Sequence, residues 1–315
     1  DEWNNDIEKY FTKYFNVHDK SDLEIAILSK EIGVDIAVDL NGFTDKNKLG
    51  IFFNRAAPIQ INFLGYPGTM GADFYDFIIA DEVIIPKDKK KNYSEKIIYQ
   101  KNCYQPNINK RNVRMRNFKK IDYNLPEDNF IYCNFNSNYK ITPQIFGIWM
   151  NILDKVKKSV FWIYSNNSDV NENLIKEADK KGIDPSRIIF AKKLSVQDHL
   201  KRLELADLFL DTFPYTAHTT ASDAIRMNLP LITIQGKTFA SRVASSLLKQ
   251  VGMDNLIVSN LTEYEDLAVK IGKDRNYIEN IKKDLSKHMK ITTLFDSKKY
   301  TKNLEDIYID LLNNN

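Results

Sequence analysis

The chain is 315 residues long, 43% hydrophobic and 28% charged, enough apolar material for one large or two ordinary domains and too much for a disordered chain. Its 45 basic and 42 acidic residues leave a net charge of only +3, with the lysines spread rather than clustered, which argues against a nucleic-acid or membrane surface. No apolar run approaches membrane-spanning length, no secretory signal opens the chain, and Cys103 and Cys133 lack the spacing of a disulfide framework or zinc site, so a reducing, cytoplasmic location is expected.

In chain order, the first half predicts a helix near 21–32, a strand over 34–40 ("VDIAVDL"), a helix near 46–53, and strands over 59–65 ("IQINFLG") and 77–81 ("FIIAD"). These are too few strands for a complete doubly wound sheet, so this domain is either small or lacks its beginning. Asp1 in place of an initiator methionine fits a fragment. The basic runs "PKDKKKNYSEK" and "NKRNVRMRNFKK" read as solvated faces or linkers, and 105–125 is the expected interdomain linker. Apolar runs then recur at 130–135, 159–164, 187–191, 207–212 and 230–234. Helix-compatible stretches at 142–157, 171–182 and 196–206 separate the first four. Short buried strands alternating with helices predict a parallel sheet covered on both faces, a Rossmann-like domain. The tail "DSKKYTKNLEDIYIDLLNNN" predicts an amphipathic helix with Leu304, Ile307, Tyr308 and Leu311 on one face.

Candidate site residues sit where these strands end. In "DTFPYTAHTTASDAIRMNLPLITI" an apolar strand runs through a loop into His218, Thr219 and Thr220, with Asp223 four residues beyond Thr219 on the same helix face. Ligands of parallel sheets gather at carboxyl strand ends, and free amides at a helix start bind anions. A diphosphate there, with a ribose hydroxyl on Asp223, is chemically coherent; an ordinary helix cap with a favourably placed carboxylate is the plainer alternative. "NFNSNYKITP" repeats the layout and offers Lys140 as a mobile positive charge for a departing diphosphate, or merely a surface lysine. His199 in "KKLSVQDHLKR" is either a ligand contact or a half-buried helix histidine. "LGYPGTMGAD" (64–73) carries Gly65, Gly68 and Gly71 directly after a strand, which suits close backbone approach to a ligand or simply a tight turn. Neither GxxxxGK[ST] nor GxGxxG occurs, so a P-loop and an NAD-dependent oxidoreductase are disfavoured. The loop motifs show no paired carboxylates of the kind a glycosidase needs.

"APIQINFLGYPGTMGADFYDFIIAD", "YSEKIIY", "FNSNYKITP", "DTFPYTAHTTASDA" and "GKTFASRVASSLL" together resemble the catalytic region of the O-linked N-acetylglucosamine transferase family, which includes bacterial members and plant SPINDLY-like proteins. The likeness runs in order from about residue 30 to the C-terminus. It implies an α/β GT-B fold, two Rossmann-like domains facing a cleft, the N-terminal one incomplete here. Domains are expected at 1–115 and 116–296, with 297–315 a helix crossing back to the first.

By the same resemblance, Lys140 binds the diphosphate and supports its departure, while His199 packs against uridine. His218, Thr219, Thr220 and Asp223 hold phosphates and ribose. The loop Leu64, Gly65, Tyr66, Pro67 and Gly68 lines the sugar pocket, and Ser137 stands where animal members have a glutamine. The implied reaction is inverting transfer of N-acetylglucosamine from UDP-GlcNAc to Ser/Thr hydroxyls of proteins, with no metal and no cofactor beyond the donor. The short linker points to a bacterial-type member. The family's candidate catalytic histidine and its tetratricopeptide repeats have no counterpart here, as expected of a chain that begins inside the first catalytic domain. Such a chain should bind nucleotide and transfer little sugar. Two alternatives stay open: the same fold with another donor such as GDP-fucose, and a nucleotide-sugar-binding module without activity.

Overall fold

The structure, a computed structural model, describes residues 8–109 and 117–314. The chain divides into two compact units: Asp1–Ile79 with Lys90–Ile98 and Tyr308–Asn315, and Ala80–Lys89 with Tyr99–Ile307. The expected domain boundary at 115/116 and the middle of the expected linker lie at 110–116, outside the described residues.

In the first unit, helix α1 (Asp22–Glu31) begins at a capping box, in which Ser21 Oγ accepts the Glu24 amide and Glu24 returns a bond to the Ser21 amide. Strands β1 (Ile36–Asp39), β2 (Ile59–Asn62), β3 (Phe77–Ala80) and β4 (Lys96–Tyr99) form one sheet in that order, with β1, β2 and β3 parallel. Both β2 and β3 are buried along their whole length, as their unbroken apolar runs require. Helix α2 (Leu49–Phe53) packs Phe52 against Met70 and Tyr75.

Two boundaries differ from expectation for a backbone reason. The helix expected near 46 starts at Leu49, because Lys46 has φ 55°, outside the right-handed helical region. The strand expected to reach 65 stops at Asn62, because Leu64 has φ 74° and turns the chain.

The second unit is a six-stranded sheet ordered β10-β9-β8-β5-β6-β7, with every neighbouring pair parallel. Its strands are β5 (Phe130–Asn134), β6 (Ser159–Tyr164), β7 (Ile188–Ala191), β8 (Leu208–Leu210), β9 (Leu231–Ile234) and β10 (Ile257–Val258). The helices between them are α3 (Pro143–Lys155), α4 (Ser168–Lys180), α5 (Val196–Arg202), α6 (Thr219–Arg226) and α7 (Val243–Gln250). Helices α8 (Leu261–Lys273), α9 (Arg275–Met289) and α10 (Ser297–Asn314) follow. Helix α3 starts as its sequence suggests: Thr142 Oγ1 accepts the Ile145 amide and Pro143 occupies the first turn.

The start of the expected linker is not a solvated spacer. Gln105 is buried and donates to Ser222 Oγ on α6 at 2.8 Å. Among the described residues no helix is long and apolar enough to cross a membrane.

Candidate active site

The chain leaves β5 toward β6 and β7 on one side and returns through β8 toward β9 and β10 on the other, so β5 and β8 flank the point where the strand order reverses. Parallel sheets open a crevice there, at the carboxyl ends of the strands. Two loops meet at this position, Phe135–Ile141 after β5 and Asp211–His218 after β8.

A buried amide-carboxylate network fixes them. Asn134 Nδ2 donates to the Leu210 carbonyl at 2.6 Å. Asn136, 1% exposed, donates from Nδ2 to Asp211 Oδ1 at 3.1 Å and Thr212 Oγ1 at 2.8 Å, while its Oδ1 accepts the Thr220 hydroxyl. Asp211 Oδ1 also accepts the amides of Thr212 and Ala217, each at 2.8 Å, and its Oδ2 accepts Thr233 Oγ1 at 2.7 Å. Burial pushes the Asp211 carboxyl up to about 6, against the pull of Thr233, the Ala217 amide and Lys140.

Lys140 ends the short turn Asn138–Lys140, which Asn138 pins by donating to the Tyr164 carbonyl at 2.7 Å. Its Nζ donates to the Thr216 carbonyl at 2.9 Å and lies 3.8 Å from the centre of the Tyr215 ring. Loss of water lowers the ammonium to about 8, and the Asp211 carboxylate opposes that fall. Lys140 therefore stays charged at neutral pH, with no salt bridge to it among the described residues.

The Tyr215 ring is also 5.1 Å from that of His218, the residue before α6. Burial first, and the Lys140 charge second, hold His218 down to about 3, with the Ala240 carbonyl opposing, so the ring is neutral. Its Nε2 is buried and finds no hydrogen-bond partner among the described residues. The His218 carbonyl accepts the Ala221 and Ser222 amides, so those of Thr219 and Thr220 precede the helix ladder. Asp223, 7% exposed, lies one turn further along α6.

His199 lies in a separate pocket of the same unit, of about 170 Å³, lined by Phe135, Tyr164, Lys193, Leu194 and Arg202. The His199 and Phe135 rings meet edge to face, with centroids 5.3 Å apart. Arg202, 2% exposed, donates from Nε to His199 Nδ1 at 3.1 Å and from Nη1 to the Lys192 carbonyl at 2.6 Å, and its guanidinium stacks 4.7 Å from the Phe135 ring. Arginine only donates, so the proton of neutral His199 is on Nε2. Ser137 is exposed, and its side chain makes no capping bond.

The Leu64–Gly68 loop belongs to the first unit. A Cβ on Gly65 would stand 2.0 Å from the Leu40 carbonyl oxygen, so only glycine fits. Asn62 Nδ2 donates to the Gly68 carbonyl at 3.0 Å. The buried Glu95 carboxylate accepts the Met70 amide and the Thr69 hydroxyl, each at 2.6 Å.

The second unit thus brings Lys140, His218 and Thr220 together around one network and keeps His199 in the next pocket. Sequence reasoning passed over Asn134, Asn136, Asp211 and Arg202. The signal available was polar residues closing two apolar runs, "FIYCNFN" and "LFLD", and an arginine three residues after His199 on one helix.

Two parallel α/β units, the second with its polar groups at a strand-order reversal, define a GT-B glycosyltransferase fold. An O-GlcNAc transferase mutant from Thermobaculum terrenum shares it, with a TM-score of 0.87 at 24% identity over 98% of this chain and 58% of that one. The chain belongs to glycosyl transferase family 41, whose profile matches residues 11–113 and 105–304. It is 34% identical to the probable UDP-N-acetylglucosamine–peptide N-acetylglucosaminyltransferase SEC of Arabidopsis thaliana, over 99% of this chain and 32% of the relative. It is 30% identical to the SPINDLY protein of Solanum lycopersicum, which carries the same probable activity, over 90% of this chain and 31% of that one. The chain thus spans about a third of the length of these curated relatives.

Proposed function

We propose that the chain carries the donor-binding part of an inverting, metal-independent transferase that moves N-acetylglucosamine from UDP-GlcNAc to Ser/Thr hydroxyls of proteins in the cytoplasm. The observation that carries this reading is the Lys140 ammonium, seated on the Thr216 carbonyl and Tyr215 ring beside the unpartnered His218 Nε2 and the first amides of α6. In this reading the diphosphate rests on the Thr219 and Thr220 amides and hydroxyls, and Lys140 meets the charge that grows on it as the sugar bond breaks. That positive charge does the work a divalent ion does in metal-dependent transferases, and no cofactor is needed beyond the donor.

The pocket of Phe135, His199 and Arg202 takes the uracil ring, Asp223 a ribose hydroxyl, and Ser137 borders the nucleotide. The relatives' printed names, which specify UDP-N-acetylglucosamine and a peptide acceptor, support the choice of donor and acceptor. Two buried free thiols, Cys103 and Cys133, suit a reducing compartment. Calorimetry of UDP and GDP in EDTA tests the reading. UDP should bind without metal and more tightly than GDP. Loss of binding on chelation removes the metal-free site, and a preference for GDP moves the donor to the GDP-fucose class.

A further inference from the structure

Asp211 closes β8 as a carboxylate 1% exposed, with both oxygens engaged. The amides it accepts, Thr212 and Ala217, begin and end one turn, so the carboxylate ties that turn across its base. From the same turn the Thr216 carbonyl accepts the Lys140 ammonium and the Tyr215 ring lies against it. Taking a carboxylate out of water is unfavourable unless its charge is used.

We propose that Asp211 is a positioning residue for Lys140: its carboxylate holds the 212–217 turn that seats the ammonium, and its negative charge keeps that ammonium protonated. The proposal rests on Lys140 as the diphosphate-binding lysine. Burial moves the two groups toward neutrality, Asp211 up to about 6 and Lys140 down to about 8, and each opposes the shift of the other. The titratable groups facing Asp211 are Lys140 and Tyr264, whose hydroxyl donates to the Asp211 carbonyl at 2.9 Å. Those facing Lys140 are Asp211, the neutral His218 and the Tyr215 ring.

The test is an NMR titration of the Lys140 side chain in the intact chain, from about pH 5 to about pH 9.5, beside UDP calorimetry over the same range. In Asp211→Asn the Lys140 midpoint should fall from about 8 by roughly one unit or more, and UDP affinity at pH 8 should drop about fivefold or more with it. Thr233→Val leaves the turn intact and removes a hydrogen bond to the charged carboxylate. The acid-side shift that Lys140 senses near pH 6 should therefore move upward. An unmoved Lys140 midpoint in folded Asp211→Asn, or an unmoved acid-side shift in Thr233→Val, overturns the proposal. If Asp211→Asn does not fold, the Thr233→Val titration decides alone. A shifted Lys140 midpoint with no UDP binding at any pH sustains the positioning role and removes the nucleotide reading instead.

Discussion

The Lys140 region and the His199 pocket sit in one sheet unit and use opposite physics. Around Lys140, charged and polar groups are stripped of water and shift one another: a carboxyl raised to about 6, an ammonium lowered to about 8, an imidazole held to about 3. Around His199, ring faces and edges do the shaping. The buried Arg202 guanidinium is lowered by burial to about 10, remains fully charged at neutral pH, and orients the histidine. The difference separates two tasks. In the proposed reading, the first region would stabilise changing charge on any nucleoside diphosphate, and the second would read the shape of the base.

The largest expected effect breaks the first region alone. Lys140→Ala should raise the barrier to sugar transfer by roughly 2–4 kcal/mol, the cost of one charge-stabilising donor, and weaken UDP and GDP alike while lowering turnover more than affinity. Turnover is followed with radiolabelled UDP-GlcNAc and a Ser/Thr peptide in a longer chain that also carries the family's candidate catalytic histidine, and near-normal turnover there would remove Lys140 from the mechanism. Next comes Asp223→Ala, which should cost UDP roughly 1–3 kcal/mol in calorimetry, as expected for a ribose hydroxyl left without its partner. His199→Ala should cost about 1 kcal/mol, the worth of one ring contact, and narrow the UDP-over-GDP preference without touching the response to pH. An equal loss for both nucleotides would erase the proposed division of labour.

The smallest effect is on stability, and its sign runs against function. The Lys140 pKa is lowered in the folded chain, so the unfolded chain binds more protons between about 8 and the ordinary lysine value of 10.5. The cost of burying the charged ammonium is therefore complete below about 8 and fades as pH rises through that window. After discounting for partial exposure, Lys140→Met should be more stable than the parent by about 1 kcal/mol at neutral pH. In thermal melts that advantage should shrink as pH rises toward 10.5. A Lys140→Met chain less stable than its parent at pH 7 would contradict the picture of a desolvated, functionally retained charge.

Much of the second unit was legible, because its strands are continuous apolar runs and its helices open on caps such as Thr142 and Ser195. Lys140, His218, Thr219 and Thr220 were legible for the same reason, since each follows the end of such a run. Asp211 and Asn136 were not. They are hydrogen-bonded partners 75 residues apart, and only the reversal of strand order, which sets β8 beside β5, makes them neighbours. Strand β10 is only two residues long and β4 follows a lysine-rich turn, so neither carries a periodic signal. The α2 start depended on one left-handed residue, Lys46, which no pattern of hydrophobicity records.

The central claim is that Lys140 and the start of α6 recognise a diphosphate, and comparing UDP with uridine in the parent chain and in Lys140→Met tests it most directly. The parent should prefer UDP strongly, with the preference fading as pH rises through about 8, and Lys140→Met should lose most of it while keeping its uridine affinity. An undiminished preference for UDP over uridine in Lys140→Met would place the diphosphate elsewhere.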